Sequence, residues 1–486
     1  MRGGEILTYT KMLLMIQKAL QHTTIDWCLS SEMANQIDLW TRMFENRAPW
    51  LSKTVESAGL SAAIASEVAR LITLELVTEV SGSARATYIN DAYQKTVKKL
   101  RQYVEYGCAK GGLIFKPYYT HDGIDVQMLQ ADSFFPVTFD GSGAISQCIF
   151  LEQFRIGNKI YSRIEMHTLQ GTKLIIENHV FVSTNNFSLG SEIPITSVKR
   201  WRDIAQSLVV DGVTRLPFGY FKFPLANTRD SDSPLGVSVY SRAIGLIREA
   251  DRRYSQINWE YEAKEAAVHA ATSMMRYNPD TDKFEYPGGK DRLYRTVEVN
   301  SGATEKPLLE EYSPDIRDAS LYNGWNQQMR MIEFNCGLAY GTLSDPNNVD
   351  KTAEEIRSSK QRSYQMISDA QGALQNALED LIEAIDFYCT LYDLAPAGRY
   401  ATSFKWDDSI ITDTNAIVDT NIKLTQASLR SKLRAIMEIN RCSEEDAQLE
   451  LDRIAGEGQI TGQDIDWTEG DKEEATDEST DESDGS

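Results

Sequence analysis

The feature that most constrains this chain is the order of long helical patterns in its C-terminal half. From about Val237 to Met275 apolar residues recur at helical spacing, at Ile247, Ala250, Tyr254, Ile257 and Tyr261. At 1.5 Å per residue this helix would be on the order of 50 Å long, a strut and not an average element of a compact domain. A second pattern opens with Ser313 as N-cap and Pro314 at the first helical position, runs to about Cys336 and stops at Gly337. Between the two struts lies a small insert, 276–312, punctuated by Pro279, Pro287-Gly288-Gly289, Ser301-Gly302 and Pro307, with one β-prone run at Leu293–Val299. A loop by composition, Ala339–Lys351, follows. Thr352-Ala353-Glu354-Glu355 then forms a capping box for the longest helix. That helix reaches about Leu394 with a stripe of Ile367, Ala370, Leu374, Leu378, Leu381, Ile385 and Tyr388, and Pro396 and Gly398 stop it. One such helix pair cannot bury both of its apolar faces alone, so the pattern asks for neighbours.

The rest of the chain is more ordinary. Residues 1 to about 105 read as helical, with stripes such as Met12, Ile16, Ala19, Leu20 and Ile64, Val68, Leu71, Ile72, Leu76. From Gly112 to about Val182, β-prone runs (Leu113–Tyr119, Ser133–Phe139, Gln147–Phe154, Ile160–Met166, Lys173–Phe181) alternate with turn signals at His121-Asp122-Gly123, Asp140-Gly141-Ser142-Gly143, Gly157-Asn158 and Gln170-Gly171. That predicts an antiparallel sheet built from hairpins. Residues 183–234 read as an irregular connection. After a short run at Tyr400–Trp406 the chain is helical again, with a capping-box-like Ser443-Glu444-Glu445-Asp446 and an end at Gly456. The fold class is α+β, mostly α. The 486 residues make about three domains.

Charge and chemistry narrow the function by exclusion. The net charge is −21; between Asp464 and Ser486 eleven acids face one base, Lys472, so the tail carries −10 and the remainder −11. With no apolar residue larger than Ala475 after Trp467 to build a core, the tail is expected to be disordered. An acidic body is unsuited to tight phosphate neutralisation but suited to a surface that DNA slides past. No Walker loop is present: Gly289-Lys290 is followed by Asp291, and Phe284 stands where the first glycine belongs. The five histidines are scattered. His269 with Glu262 and Glu265 would be a metal set only on a helix face, where a solvated helix is the commoner meaning. Lys199-Arg200-Trp201-Arg202 could touch nucleic acid, though a loop with one anchoring tryptophan is the simpler reading. The six cysteines have neither metal nor redox spacing and read as reduced thiols, mostly buried; no secretion signal and no membrane span is expected. No catalytic, metal or cofactor site is expected, and the chain reads as non-enzymatic.

Several stretches together resemble the portal proteins of tailed double-stranded DNA bacteriophages, of the siphovirus type of Gram-positive hosts. They are Ile37-Asp38-Leu39-Trp40 with Ala48-Pro49-Trp50; Gln130-Ala131-Asp132-Ser133-Phe134-Phe135-Pro136 leading to Phe139-Asp140-Gly141; and Ser233-Pro234-Leu235-Gly236-Val237-Ser238-Val239-Tyr240. They continue with Phe334-Asn335-Cys336-Gly337-Leu338, Lys351-Thr352-Ala353-Glu354-Glu355, Ala377-Leu378-Glu379-Asp380-Leu381-Ile382, Trp406-Asp407-Asp408-Ser409-Ile410-Ile411-Thr412-Asp413 and Ser431-Lys432-Leu433-Arg434-Ala435-Ile436-Met437. Their order and spacing over about residues 30–456 carry the resemblance. It implies a phage portal fold: a wing at 1–235 (helices plus antiparallel sheet), a two-helix stem at 236–275 and 313–338, a small α/β clip at 276–312, a tunnel loop at 339–351, a long wing helix and return strand at 352–411, a helical crown at 412–456 and the acidic tail at 457–486.

The resemblance further implies a dodecameric ring at the portal vertex of the virion, assembled in the host cytoplasm, through which double-stranded DNA is packaged and ejected without regard to sequence. Its implied partners are further copies of the chain, the terminase large subunit, the head-tail adaptor, and the major capsid and scaffolding proteins. Asn347, Asn348 and Lys351 of the tunnel loop are the expected DNA-facing residues. Arg276, Lys283, Lys290 and Arg292 of the clip are the expected docking contacts. Two other classes stay open: a packaging or maturation enzyme such as a nuclease or protease, which would need a carboxylate cluster or nucleophile, and a helical adaptor or scaffold that binds no DNA.

Overall fold

The computed structural model describes residues 8–21, 25, 27–74, 76–264, 267–271, 276–279, 282–285, 294–297, 309–312, 315, 317–345, 353–406, 414–440 and 444–460. They fall into two units, divided between residues 407 and 408.

The first unit opens with helices α1 (Tyr9–Ala19), α2 (Ser31–Phe44) and α3 (Leu60–Ile72), strand β1 (Val77–Ser81), and helices α4 (Ala84–Val97) and α5 (Leu100–Lys110). Local chemistry fixes several ends. The hydroxyls of Thr8, Ser30 and Ser83 accept from the backbone N–H groups of Lys11, Met33 and Ala86 and so cap α1, α2 and α4. Strands β2 (Leu113–Thr120), β3 (Gly123–Gln130), β4 (Phe134–Phe139), β5 (Ile145–Ile156), β6 (Lys159–Gln170), β7 (Lys173–Ser183), β8 (Ser191–Ile193), β9 (Ser207–Asp211) and β10 (Gly219–Phe221) follow. One sheet runs β10-β2-β3 and a second β4-β5-β6-β7, with β8 and β9 both paired to β7. All of these pairings are antiparallel. The chain reverses where turn residues stand: Thr120 pairs with Gly123, Ile156 with Lys159 and Gln170 with Lys173. In the β4–β5 turn Asp140 Oδ1 accepts from Ser142 N–H at 2.8 Å and Ala144 N–H at 3.0 Å, an Asx turn.

Three short strands, β8 to β10, lie in the stretch expected to be irregular. At three to five residues they are too short for an alternating pattern to register. Between the two sheets sits a charged cluster. Glu165 lies 2.6 Å from Lys116 Nζ, 2.7 Å from His167 Nε2 and 3.1 Å from Arg163. Burial alone would raise its pKa, but Lys116 and the hydrogen bond to His167 outweigh burial and hold it well below the usual carboxylate range.

The struts come next: α6 (Ile244–Ala263), then strands β11 (Ala267–Ala271), β12 (Arg276–Asn278), β13 (Lys283–Glu285), β14 (Tyr294–Val297) and β15 (Leu309–Tyr312), then α7 (Asp318–Cys336). β11 lies between β14, parallel, and β15, antiparallel, while β12 and β13 form a hairpin. The expected first strut, 236–275, is therefore shorter at both ends. Its last expected turns are β-strand: Ala-rich Ala267–Ala271 favours helix locally, but pairing on both sides decides its conformation. His269 accordingly stands opposite Arg295 and Glu310 in a sheet, so the helical spacing to Glu262 and Glu265 does not exist. Ser313 and Pro314 lie outside the described residues; α7 starts at Asp318, behind Arg317.

Helix α8 (Ala353–Leu391) is the spine of the unit. With 39 residues it is about 58 Å long. The stripe Ile367, Ala370, Leu374, Leu378, Leu381, Ile385 and Tyr388 is buried, as are Ala377 and Ile382 beside it. α8 packs on β2 and β10 and against α3 and α4. A Cβ on Gly219 of β10 would run into the carbonyl oxygen of Ala377, so this strand approaches the helix backbone as only glycine permits. Strand β16 (Ala401–Lys405) returns antiparallel to β1.

The second unit holds α9 (Thr414–Gln426), α10 (Lys432–Asn440) and α11 (Glu444–Ile460), with Ala435 and Ala447 buried between α10 and α11. α11 continues through Gly456, the expected stop, to Ile460, and so takes in the first four residues of the expected tail. One glycine costs a helix only about 1 kcal/mol. The tail beyond residue 460 and the cap residue Ser443 lie outside the described residues. Among the described residues no helix is long and apolar enough to cross a membrane.

Candidate functional site

The helix pair α6–α7, the insert between its ends and the segment after α7 form the candidate site. The two helices run in opposite directions, because contacts ascend on one as they descend on the other. Gln328 Nε2 donates to the Leu246 carbonyl at 3.0 Å, Arg253 to the Gly324 carbonyl at 3.1 Å, and Arg317 to Glu260. Ile247, Ala250, Ile257, Met329, Ile332 and Cys336 are buried.

α6 is tied in its first half and at its last turn. Asp251 accepts from Trp50 Nε1 at 2.8 Å and from Ala58 N–H at 2.9 Å, fastening α6 to the connection between α2 and α3. Burial pushes the Asp251 carboxyl up, and those two donors pull it part of the way back. Where the insert emerges, Arg317 grips Glu260 through two hydrogen bonds of 3.1 and 2.9 Å. Lys264 adds a contact of 2.8 Å to Glu260 and donates to the Asp315 carbonyl at 2.6 Å. The hydrogen bonds from Arg317 and then Lys264 lower the Glu260 pKa to about 2. The faces turned away from this packing are not polar throughout: Trp259 is 64% exposed, Met331 54% and Phe334 55%.

The segment after α7 has a built root. Gly337 (φ 72°) ends the helix, with its N–H on the Phe334 carbonyl at 3.3 Å and that of Leu338 on the Glu333 carbonyl at 2.9 Å, a Schellman ending. The Glu333 carboxylate, fully buried, accepts from the N–H groups of Gly341 (3.2 Å), Leu343 (2.6 Å) and Ser344 (2.8 Å) and from the Ser344 hydroxyl (2.9 Å). Asn326 Oδ1 accepts from Asp345 N–H at 2.8 Å. From α8, the Arg362 guanidinium lies over Phe334 at 4.6 Å and over Tyr340 at 5.4 Å.

The expected contact residues divide. Asn347, Asn348 and Lys351 lie outside the described residues; the root just described ends at Asp345 and α8 resumes at Ala353. Lys290 and Arg292 also lie outside. Arg276 is exposed on β12, opposite Glu285, and Lys283 stands on β13 opposite Asn278, so these two bases share one hairpin. Trp201 of the basic-aromatic cluster is buried and donates from Nε1 to Glu152 at 3.1 Å, an anchor and not a stacking platform. Glu333 was not foreseen. Its signal is a carboxylate set among Met329, Ile332 and Cys336, inside the buried stripe of α7. Among the described residues no group of three His, Cys, Asp or Glu could hold a metal ion.

No curated protein matches the chain. Among solved structures, a chain of the structure described as the neck of a native GTA particle computed with C12 symmetry is similar. Its identity is 10% and its TM-score 0.42, over 87% of this chain and 98% of that one. The family model described as "Phage portal protein, SPP1 Gp6-like" matches residues 67–463, a span that takes in most of the first unit, both struts, the insert, α8 and the helices of the second unit. The chain thus belongs to the SPP1 Gp6-like family of phage portal proteins.

Proposed function

We propose that this portal subunit works as one of twelve copies in a closed ring at the portal vertex, whose axial channel passes double-stranded DNA into the capsid and out again. The observation that carries the reading is the family match over residues 67–463. In this reading the stem is α6 with α7, the clip is the pair of small sheets between them, the tunnel loop is 339–351 and the crown is 412–456. Trp259 on α6 and Met331 and Phe334 on α7 support the ring. Exposed apolar side chains on a strut find cover against a neighbouring strut, and covering the exposed half of each is worth about 1–1.5 kcal/mol.

The work is geometric and electrostatic, with no covalent step. The acidic body keeps a polyanion from adhering, and Asn347, Asn348 and Lys351 supply a weak, sequence-blind contact. Arg276 and Lys283, with Lys290 and Arg292, make the clip face that meets first the terminase large subunit and then the head-tail adaptor, while the wing meets the major capsid and scaffolding proteins. Electron microscopy of the purified protein tests the ring: views down the axis should show about twelve subunits around a hole wide enough for a duplex, and a uniform monomer across concentration and salt would overturn it. Replacing Asn347, Asn348 and Lys351 by alanine should shorten the packaged DNA or slow packaging; unchanged values would remove the assignment of the loop.

A further inference from the structure

We propose that Glu333 is the positioning residue of the tunnel loop: its side chain sets where the chain leaves the second strut and in which direction it starts. The inference rests on the reading of 339–351 as the DNA-facing loop. Glu333 holds this turn twice. Its carbonyl takes the Leu338 N–H of the helix ending, and its carboxylate takes three backbone N–H groups and one hydroxyl from residues 341–344. A chain that has just left a helix would otherwise satisfy those donors with water. Here one buried anion gathers them, and charge-assisted hydrogen bonds of this kind are roughly twice as strong as neutral ones. Asn326, two turns earlier on the same face of α7, takes the next donor, Asp345 N–H. The backbone from Leu338 to Asp345 is thereby hydrogen-bonded to α7 at five N–H groups, so a displacement of the strut carries the root of the loop with it.

The bonds are divided unevenly between the two oxygens, and this supplies the test. Oε1 accepts all three N–H groups, whereas the Ser344 hydroxyl, which can also accept, is nearer to Oε2 (2.9 Å) than to Oε1 (3.1 Å). Glu333→Gln can therefore keep Oε1 where it is and donate from Nε2 to Ser344 Oγ, whereas Glu333→Ala loses every bond. In the full-length protein, amide hydrogen exchange at Gly341, Leu343 and Ser344 should accelerate on the order of tenfold to a hundredfold in Glu333→Ala. Glu333→Gln should restore most of the protection. Packaged DNA length should fall in the first variant and recover in the second, with rings of unchanged subunit number in both.

Unchanged exchange in Glu333→Ala would overturn the clamp. Faster exchange with normal packaging would overturn the positioning role. If Glu333→Ala does not fold, Ser344→Ala takes its place: it removes the hydroxyl's bonds to Glu333 and to Gly341 N–H, and faster exchange at Gly341 supports the clamp while no change overturns it. The exchange measurement does not depend on a ring, so a failure of the ring reading would show in microscopy and leave the amides to decide the clamp.

Discussion

Glu260, nearly enclosed at the end of α6, and Arg317, exposed at the head of α7, meet through two parallel hydrogen bonds of 3.1 and 2.9 Å, just where the insert leaves the struts. The pair closes the base of the insert, and Lys264 reinforces it. Arg317 and then Lys264 draw the Glu260 pKa down from the ordinary 4.5 to about 2. A carboxylate depressed in the folded state stabilises it above the unfolded pKa and ceases to do so as pH falls through the folded value. The junction is thus expected to hold above pH 4.5 and to loosen progressively towards pH 2. Glu260→Gln should lack this dependence. Thermal unfolding compared between the two proteins across that window checks it: parallel curves would show that the pair contributes nothing.

Trp259 and Met331 should govern assembly and not folding. Both are more than half exposed in the single chain, so charged replacements remove little from its own packing, within about 0.5 kcal/mol for a surface change. Covered by a neighbouring copy, the same charge would be desolvated without a partner. Trp259→Glu and Met331→Glu should therefore give folded monomers or open fragments in sedimentation velocity, with thermal stability at low concentration close to that of the parent. Rings of normal size from both would place the subunit interface elsewhere.

The thiols provide a check on the interior. Cys108, Cys148, Cys336 and Cys389 are buried and Cys28 is exposed; none of the five is in a disulfide. Burial pushes all four buried thiols up, Cys336 to about 12 and Cys389 to about 11. Since the thiolate is the reactive form, a maleimide at pH 7.5 should modify Cys28 within minutes and the four others only as the protein opens. Peptide mapping after a short pulse distinguishes them. Prompt labelling of Cys148 would mean that the β4–β5–β6 sheet is open in solution.

Much of this architecture was legible because the relevant signals are local and repeated. The stripe of α8 and the hairpin turns at His121-Asp122, Gly157-Asn158 and Gly171 each rest on a periodicity or a turn residue that the chain carries in itself. What escaped depends on partners far along the chain. Ala267–Ala271 is strand only because Tyr294–Val297 and Leu309–Tyr312 flank it, and β8 to β10 are strands only because longer ones offer edges. The candidate site divides likewise. The order strut, insert, strut, loop can be read from spacing, whereas the Glu333 clamp and the Glu260–Arg317 pair are side-chain meetings that no spacing rule encodes.

Arg85 is a last case of such a meeting, and the cost of losing it should be large. From α4 its guanidinium donates to Asp386 Oδ1 at 2.6 Å, to the Asp386 carbonyl at 2.9 Å, to the Ala395 carbonyl at 2.7 Å and to the Thr390 hydroxyl. These acceptors lie in and just beyond the last turns of α8, where the helix end is negative. One nearly buried cation thus fixes the C-terminal end of the spine. Arg85→Ala leaves the Ala395 carbonyl and the Asp386 carboxylate without this donor, while the Asp386 carbonyl keeps the Thr390 hydroxyl at 3.1 Å, and should cost about 3 kcal/mol. Arg85→Lys keeps the charge but offers no planar fork, so it should recover less than half of that. Urea unfolding of the two variants checks the ranking. If lysine restores full stability, the charge alone holds the helix end, and the four-acceptor geometry is incidental.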